Sequence, residues 1–448
     1  MPTRRDLLPI AAYAALLGWL AGLRPLWLDE VLQLIASTQP KIDGVIRWVT
    51  YNPGGAPLGY LAQRVFVLSL GATPLAARAA PAIFGLLSAV ALAGFARDLK
   101  ARSIPVVLAA FALMPLELRY AVEGRPYSQA LFFALAALWC LWRLAASPSW
   151  RLAAAYAALV AAGLYTQPLS AAVQLGALVA LACSGRGRAA RWGAIALATA
   201  CLLFAPWYLH VRSAWQFGIV ASHFSFSTTP KILGMLLREI SGGGYVASLS
   251  LAGAAALGWR RADSPARRFL LGSVVSGIVC AIAADAASGY FFAVRQVLFV
   301  LPPLLLLATA WLPISRRDWW QPALLAVFLA AAVVKDVSYF RSPGEAWPGA
   351  ARALLAATRD GTCAVVPSPE PAELYQLFEP ALSGRFCHPS EAAGPVEIVR
   401  NRYTLASSME DATRTLAARG FRAVSETDIA GVRLLRFLPE ESASDRRR

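Results

Sequence analysis

The 448-residue chain is short of charge. Only 15% of its residues are Asp, Glu, Lys or Arg, while 58% are hydrophobic and the mean hydropathy is +0.53. Soluble domains carry about 25% charged residues and roughly 45–50% apolar ones, so an ordinary soluble protein is excluded. Acid is scarcer than base, with 26 Asp and Glu against 42 Lys and Arg and a net charge of +16. That excess does not mark a nucleic-acid binder, because the basic residues cluster in short loops between apolar runs. Histidine is rarer still, with only His210, His223 and His388. None stands at metal-ligand spacing and no Cys/His cluster exists, which argues against a structural zinc site. Walker and GxGxxG patterns are missing, as is the residue-by-residue alternation of an outer-membrane barrel. No Ser-His-Asp set is readable.

What the chain has is repeated apolar runs of membrane-spanning length. Eleven spans are expected, from residues 7–23 through 79–96, 104–118, 127–145, 151–166, 168–184, 192–209, 245–259, 269–287 and 294–312 to 319–335. The first is not read as a cleaved signal peptide, because Trp27-Leu28-Asp29-Glu30 follows it in place of a small-residue cleavage site. With the N-terminus inside, the inner segments hold 16 Lys and Arg against 4 Asp and Glu, and the outer ones are far less basic for their length. This is the positive-inside pattern. It also decides the status of Pro57–Leu70: counted as a span, it would turn the basic 97–102 loop outward, so it is expected to lie in the outer interface as a juxtamembrane helix. The first outer loop then covers residues 24–78. Composition changes after Lys335. Residues 336–448 carry nearly balanced charge and no long apolar run, and read as a small α/β domain on the outer face. Its helices are expected near 345–358, 371–383 and 408–419, with Ser407 or Ser408 as the last cap. Its strands are expected at 363–366, 421–424 and 432–438. Cys363 and Cys387 of this domain are expected to form a disulfide, which an oxidising outer compartment permits.

The membrane part, residues 1–335, places its chemistry-bearing residues in outer loops. Asp29 and Glu30 stand where the first span leaves the bilayer, beside Trp27. Carboxylates there are costly unless solvated or used. Read alone, the pair also fits a helix cap for a helix beginning at Val31. Arg78 opens the second span. The second outer loop gathers Glu117, Arg119, Tyr120, Glu123, Arg125 and Tyr127 within eleven residues, which reads either as local salt bridges or as an anion- and hydroxyl-recognition surface. The fifth outer loop holds Asp285 and the Gly289–Ala293 stretch, and Arg295 then enters an apolar run, where it must snorkel, pair or bind an anion. The planar donor fork of arginine suits a lipid-linked phosphate.

Taken in order, these motifs resemble the polytopic GT-C glycosyltransferases, and more closely family 39, which contains the protein O-mannosyltransferases and the aminoarabinose transferase that modifies lipid A. The resemblance rests on Trp27-Leu28-Asp29-Glu30, Pro57-Leu-Gly-Tyr60, Arg78-Ala-Ala-Pro81, Tyr120-Ala-Val-Glu123-Gly-Arg125-Pro-Tyr127, Pro206-Trp207, and Arg295 leading to Pro302-Pro303. It spans roughly residues 5–340. The sequence departs from it at Gly54-Gly55-Ala56, at Gln167, where a His commonly follows Tyr-Thr, and at Gln296, where an aromatic commonly follows the Arg.

The fold implied is an all-α polytopic membrane protein with a small C-terminal α/β domain. The implied setting is a bacterial inner membrane, with the N-terminus cytoplasmic and the C-terminal domain periplasmic or extracellular. The implied activity is inverting transfer of a sugar from a polyprenyl-phosphate carrier to a lipid, glycan or protein acceptor. Asp29 would then be the catalytic base and Glu30 its support. Arg78, Arg125 and Arg295 would hold phosphate, and Glu123 and Tyr127 would line the sugar side. No particular cofactor is implied; a divalent cation held by Asp29, Glu30 and Glu123 stays open. A transporter or flippase of a lipid-linked sugar is the alternative, but no internal repeat or pair of matched broken helices supports it.

Overall fold

The computed structural model describes residues 4–52, 55–221, 230–288, 294–313, 318–342, 344–359, 361–367 and 371–440. His223, Gly54, the Gly289–Ala293 stretch and the C-terminal 441–448 segment lie outside the described residues, as does the side chain of Asp285. The chain divides into two compact units. One comprises residues 1–23 and 36–341, and the other residues 24–35 and 342–448. The first outer loop is therefore shared: its acidic segment belongs to the unit built mainly from the C-terminal domain.

The larger unit is helical because long runs of Ala, Leu and Val leave the backbone no partner but itself in an apolar surrounding. Among the described residues, five helices are long and apolar enough to cross a membrane: Pro74–Asp98, Tyr127–Ala146, Gly187–Trp215, Ser264–Ala284 and Trp320–Arg341. A sixth span is the pair Ile104–Ala112 and Pro115–Ala121, bent by 67°. The remaining expected spans are present as shorter helices. Two open with a 3-10 turn, at Pro168–Ala171 and Val294–Val300, before continuing as Ala172–Cys183 and Leu301–Thr309. Proline starts several of these elements, at Pro57, Pro74 and Pro115, where its missing N–H costs no hydrogen bond. Thr73 caps Pro74–Asp98 by accepting from the Ala76 amide at 3.2 Å. Small residues allow close helix contact. A Cβ added at Gly176 would fall 1.9 Å from the Gly272 carbonyl oxygen, and one at Gly258 would fall 1.8 Å from that of Leu307. Pro57–Leu70 is a helix over the full stretch assigned to the juxtamembrane element.

In the smaller unit a four-stranded sheet runs in the order β1 (Cys363–Val365), β2 (Val396–Asn401), β4 (Val432–Pro439), β3 (Phe421–Ile429), with β1 parallel to β2 and the other pairs antiparallel. β3 and β4 form a hairpin whose two turn residues, Ala430 and Gly431, both have positive φ, at 45° and 87°. A tight two-residue loop requires this so that its twist matches the strands. Asp428 braces the turn by accepting from the Gly431 amide at 3.2 Å. Val396, Ile398, Leu416, Phe421 and Phe437 form the core under the sheet. A disulfide joins Cys363 and Cys387, with Cα atoms 5.9 Å apart.

Three local expectations for this domain are corrected. The helix expected over 371–383 is reduced to Glu373–Gln376 and a 3-10 turn at Pro380–Leu382, because Pro380 interrupts the backbone bonding. The last helix, Ala406–Ala418, starts before both serines, at Leu405, with no side-chain cap. The strand Val396–Asn401 was not expected. Five of its six residues are buried, so it lacks the alternation that marks a half-exposed strand.

Candidate functional site

The bend between Ile104–Ala112 and Pro115–Ala121 is the local event that builds the site of the larger unit. Without it, the chain from Glu117 to Tyr127 would continue straight on as one span. With it, a short helix and a turn place Tyr120, Glu123, Arg125 and Tyr127 together. Tyr120 and Tyr127 meet edge to face, with ring centroids 4.9 Å apart. Tyr127 is 8% exposed and stands between two guanidinium groups, Arg125 at 6.0 Å from its ring centroid and Arg295 at 5.9 Å. Glu123 is buried, and Tyr120 lies within electrostatic reach of both Glu123 and Arg295. The negative face of an aromatic ring attracts cations at these distances. Two cations and the buried Glu123 carboxylate thus share one seat at the Tyr120–Tyr127 pair.

Beside this seat lies a cavity of about 50 Å³, lined by Asn52, Tyr60, Arg125, Tyr127, Thr166, Gln167 and Gln296 together with backbone near Gly55 and Pro126. Two of the three departures from the resembled pattern, Gln167 and Gln296, meet here: the Gln167 amide donates to the Gln296 carbonyl at 3.5 Å. Asn52 donates to the Tyr60 hydroxyl at 2.5 Å, and the indole of Trp207 donates to the Gly55 carbonyl at 3.3 Å.

Gln63 holds the frame together. Its amide nitrogen donates to the carbonyls of Ala77 at 2.9 Å and Gly124 at 3.0 Å, and its oxygen accepts from Ser37 at 2.7 Å. It thereby ties the Pro57–Leu70 helix to the backbone beside Arg78 and to the glycine between Glu123 and Arg125. Arg78 is buried and donates to the Ala21 carbonyl at 2.8 Å. It serves the packing of the first two membrane helices, whatever further contacts it makes. Sequence reasoning missed Asn52 and Gln63. Gln63 left one signal, an uncharged polar residue inside an apolar helix, where an unbonded amide would be costly.

Asp29 and Glu30 belong to the smaller unit. Their helix, Leu28–Ser37, begins three residues before the expected Val31, and the cap is the reverse of the one expected. Glu30 reaches back to accept from the Trp27 amide at 3.1 Å, while the Trp27 carbonyl accepts from the amides of Glu30 and Val31. This is the glutamate half of a capping box. Glu30 is 1% exposed, whereas Asp29 is only partly buried. Within this unit Asp29 lies near Tyr403. Burial pushes the Tyr403 phenol above its ordinary pKa; the hydrogen bond from Arg402 at 2.5 Å opposes the rise, and the Asp29 charge adds to it. Arg402 also pairs with the buried Glu345 at 2.5 Å. Among the described residues, no group of three or more His, Cys, Asp or Glu side chains is placed to hold a metal ion.

This arrangement of apolar helices with a small sheet domain is the GT-C fold. The comparisons with solved structures define it: over 96% of this chain and 97% of the other, the fold matches that of ArnT from Cupriavidus metallidurans, with a TM-score of 0.68 at 14% identity. The same protein bound to undecaprenyl phosphate matches at a TM-score of 0.65 and 13% identity, with the same coverage. The oligosaccharyltransferase AglB of Archaeoglobus fulgidus, in complex with an inhibitory peptide and a dolichol-phosphate, matches at 0.55 and 12% identity over 99% of this chain and 75% of that one. No protein-family model and no curated protein matches the sequence.

Proposed function

We propose that this protein transfers a sugar, a hexosyl or pentosyl unit, from a polyprenyl-phosphate carrier to a lipid, glycan or protein acceptor at the outer face of a bacterial inner membrane. The observation that carries the reading is the pair of guanidinium groups, Arg125 and Arg295, held at the Tyr127 ring among apolar helices. A lipid-borne phosphate needs such cations, and a fold shared with proteins solved on undecaprenyl phosphate and dolichol-phosphate supports the choice of carrier.

In the proposed step the acceptor oxygen attacks the anomeric carbon as the bond from that carbon to the phosphate oxygen breaks, inverting the configuration. The acceptor proton passes to a carboxylate, for which Asp29 is the candidate. The charge growing on the departing lipid phosphate is stabilised by the arginines. Glu123 and Tyr127 would contact the sugar. Glu30, occupied as a helix cap, would act by fixing the turn that presents Asp29.

The test compares membrane lipids, surface polysaccharide and envelope proteins by mass spectrometry, with and without the gene and with the Asp29→Asn and Arg295→Ala variants. A missing sugar on one acceptor, with the lipid-linked donor accumulating, supports the reading. Full transfer by Asp29→Asn overturns the base assignment. A lipid-linked sugar trapped on the cytoplasmic face would identify a flippase instead.

A further inference from the structure

A second polar cluster in the larger unit takes no part in the proposed transfer. Glu117, on the short helix after the bend, is 1% exposed. Its Oε2 accepts from the Tyr13 hydroxyl of the first helix. Gly85 of the second span makes room for this contact: a Cβ there would fall 3.1 Å from the Tyr13 hydroxyl and 3.3 Å from Glu117 Oε1. Asp336, on Trp320–Arg341, is 7% exposed and within electrostatic reach of Glu117. Among the described residues, Glu117 Oε1 and both carboxylate oxygens of Asp336 accept no hydrogen bond.

One cation faces them. Arg119 lies over the Tyr339 ring at 4.4 Å, donates to the Gly242 carbonyl at 3.3 Å, and is within electrostatic reach of Asp336. The neighbouring Lys335 is exposed and its stem runs beside Gly244. Two buried carboxylates against one guanidinium leave one negative charge. An uncompensated buried charge is far too costly to keep, and three unbonded oxygens are the hard ligands that a small cation takes.

We propose that Glu117 and Asp336 form a binding site for one sodium ion. The site would fasten the bent segment to the first and last membrane helices. That same segment carries Tyr120, Glu123 and Arg125, so occupancy would set how firmly the transfer site is held.

The test uses the intact protein in detergent, melted in sodium chloride or in choline chloride at equal ionic strength. Sodium as the occupant gives a saturable rise in Tm of about 2–4 °C over choline that is lost in Glu117→Gln and in Asp336→Asn. Tyr13, bonded to Glu117, and Arg119, near Asp336, are unchanged in both variants. Glutamine can still accept from Tyr13, and the sodium-against-choline comparison needs no variant. Equal melting of the unaltered protein in the two salts overturns the proposal.

Discussion

Replacing Gln63 by methionine, of similar volume, tests whether one amide sets the geometry of the transfer site. The substitution keeps the packing of the Pro57–Leu70 helix and removes three hydrogen bonds: two donated to the carbonyls of Ala77 and Gly124, and one accepted from Ser37. Ser37 keeps a weaker contact to the Tyr60 carbonyl at 3.3 Å, so the two carbonyls carry most of the cost. At about 1 kcal/mol for each neutral bond, the loss comes to ~3 kcal/mol, and more where a carbonyl is left dry. The functional effect should be larger than the loss of stability implies. Gly124 sits between Glu123 and Arg125, and a shift of about 1 Å in a positioning element can cost ~100-fold in rate. Gln63→Glu should be worse than Gln63→Met, because it turns a donor into an acceptor facing two carbonyl oxygens. The assays are thermal unfolding of the purified protein and sugar transfer in membranes carrying each variant. A Gln63→Met protein with unchanged Tm and unchanged transfer would refute the idea that this amide fixes the loop.

Glu30→Ala should cost about 1 kcal/mol through the lost cap, while Glu30→Gln should recover most of it; equal losses in thermal unfolding would argue against the capping role. Glu397 is buried in β2, and burial raises its carboxyl above the ordinary range, opposed by Arg436 at 3.7 Å. The folded protein thus holds this proton more tightly than the unfolded chain. Its contribution to stability is present in acid and is lost as pH rises from about 4 through the raised folded value. Glu397→Gln should flatten that pH dependence of melting and raise stability at neutral pH. Cys363→Ser opens a disulfide that links residues 24 apart in sequence. It should destabilise the smaller unit by about 3 kcal/mol, read as faster hydrogen exchange in β1 and β2, and Cys387→Ser should match it.

Composition made the membrane helices legible. A run of some twenty apolar residues has one stable solution in lipid, so Pro74–Asp98, Tyr127–Ala146 and Trp320–Arg341 fall where hydropathy places them. The last two strands were legible only in part: they were expected at 421–424 and 432–438, and the structure carries the first on to Ile429, where Gly431 of the turn accepts φ near 87° at no cost. Charge counts and motif order also picked out Arg125, Tyr127 and Arg295, which the fold gathers at one ring.

Other features depend on partners remote in sequence. Hydropathy cannot show that the 104–121 run bends by 67°; Pro115 marks the place of the break but not its angle. Nor can it show that Gln63 reaches Gly124, 61 positions away, or that Glu117 meets Tyr13, 104 positions away. Asp29 and Glu30 mark the difference most clearly. The sequence by itself determined that a carboxylate pair stands just past the first apolar run. Only the tertiary structure decided that Glu30 turns inward as the helix cap, that Asp29 stays partly open to solvent, and that both belong to the unit formed with the C-terminal domain. The physical reason is that apolar burial is a local property of a run of residues, whereas the direction of a side chain is fixed by the atoms folding brings against it.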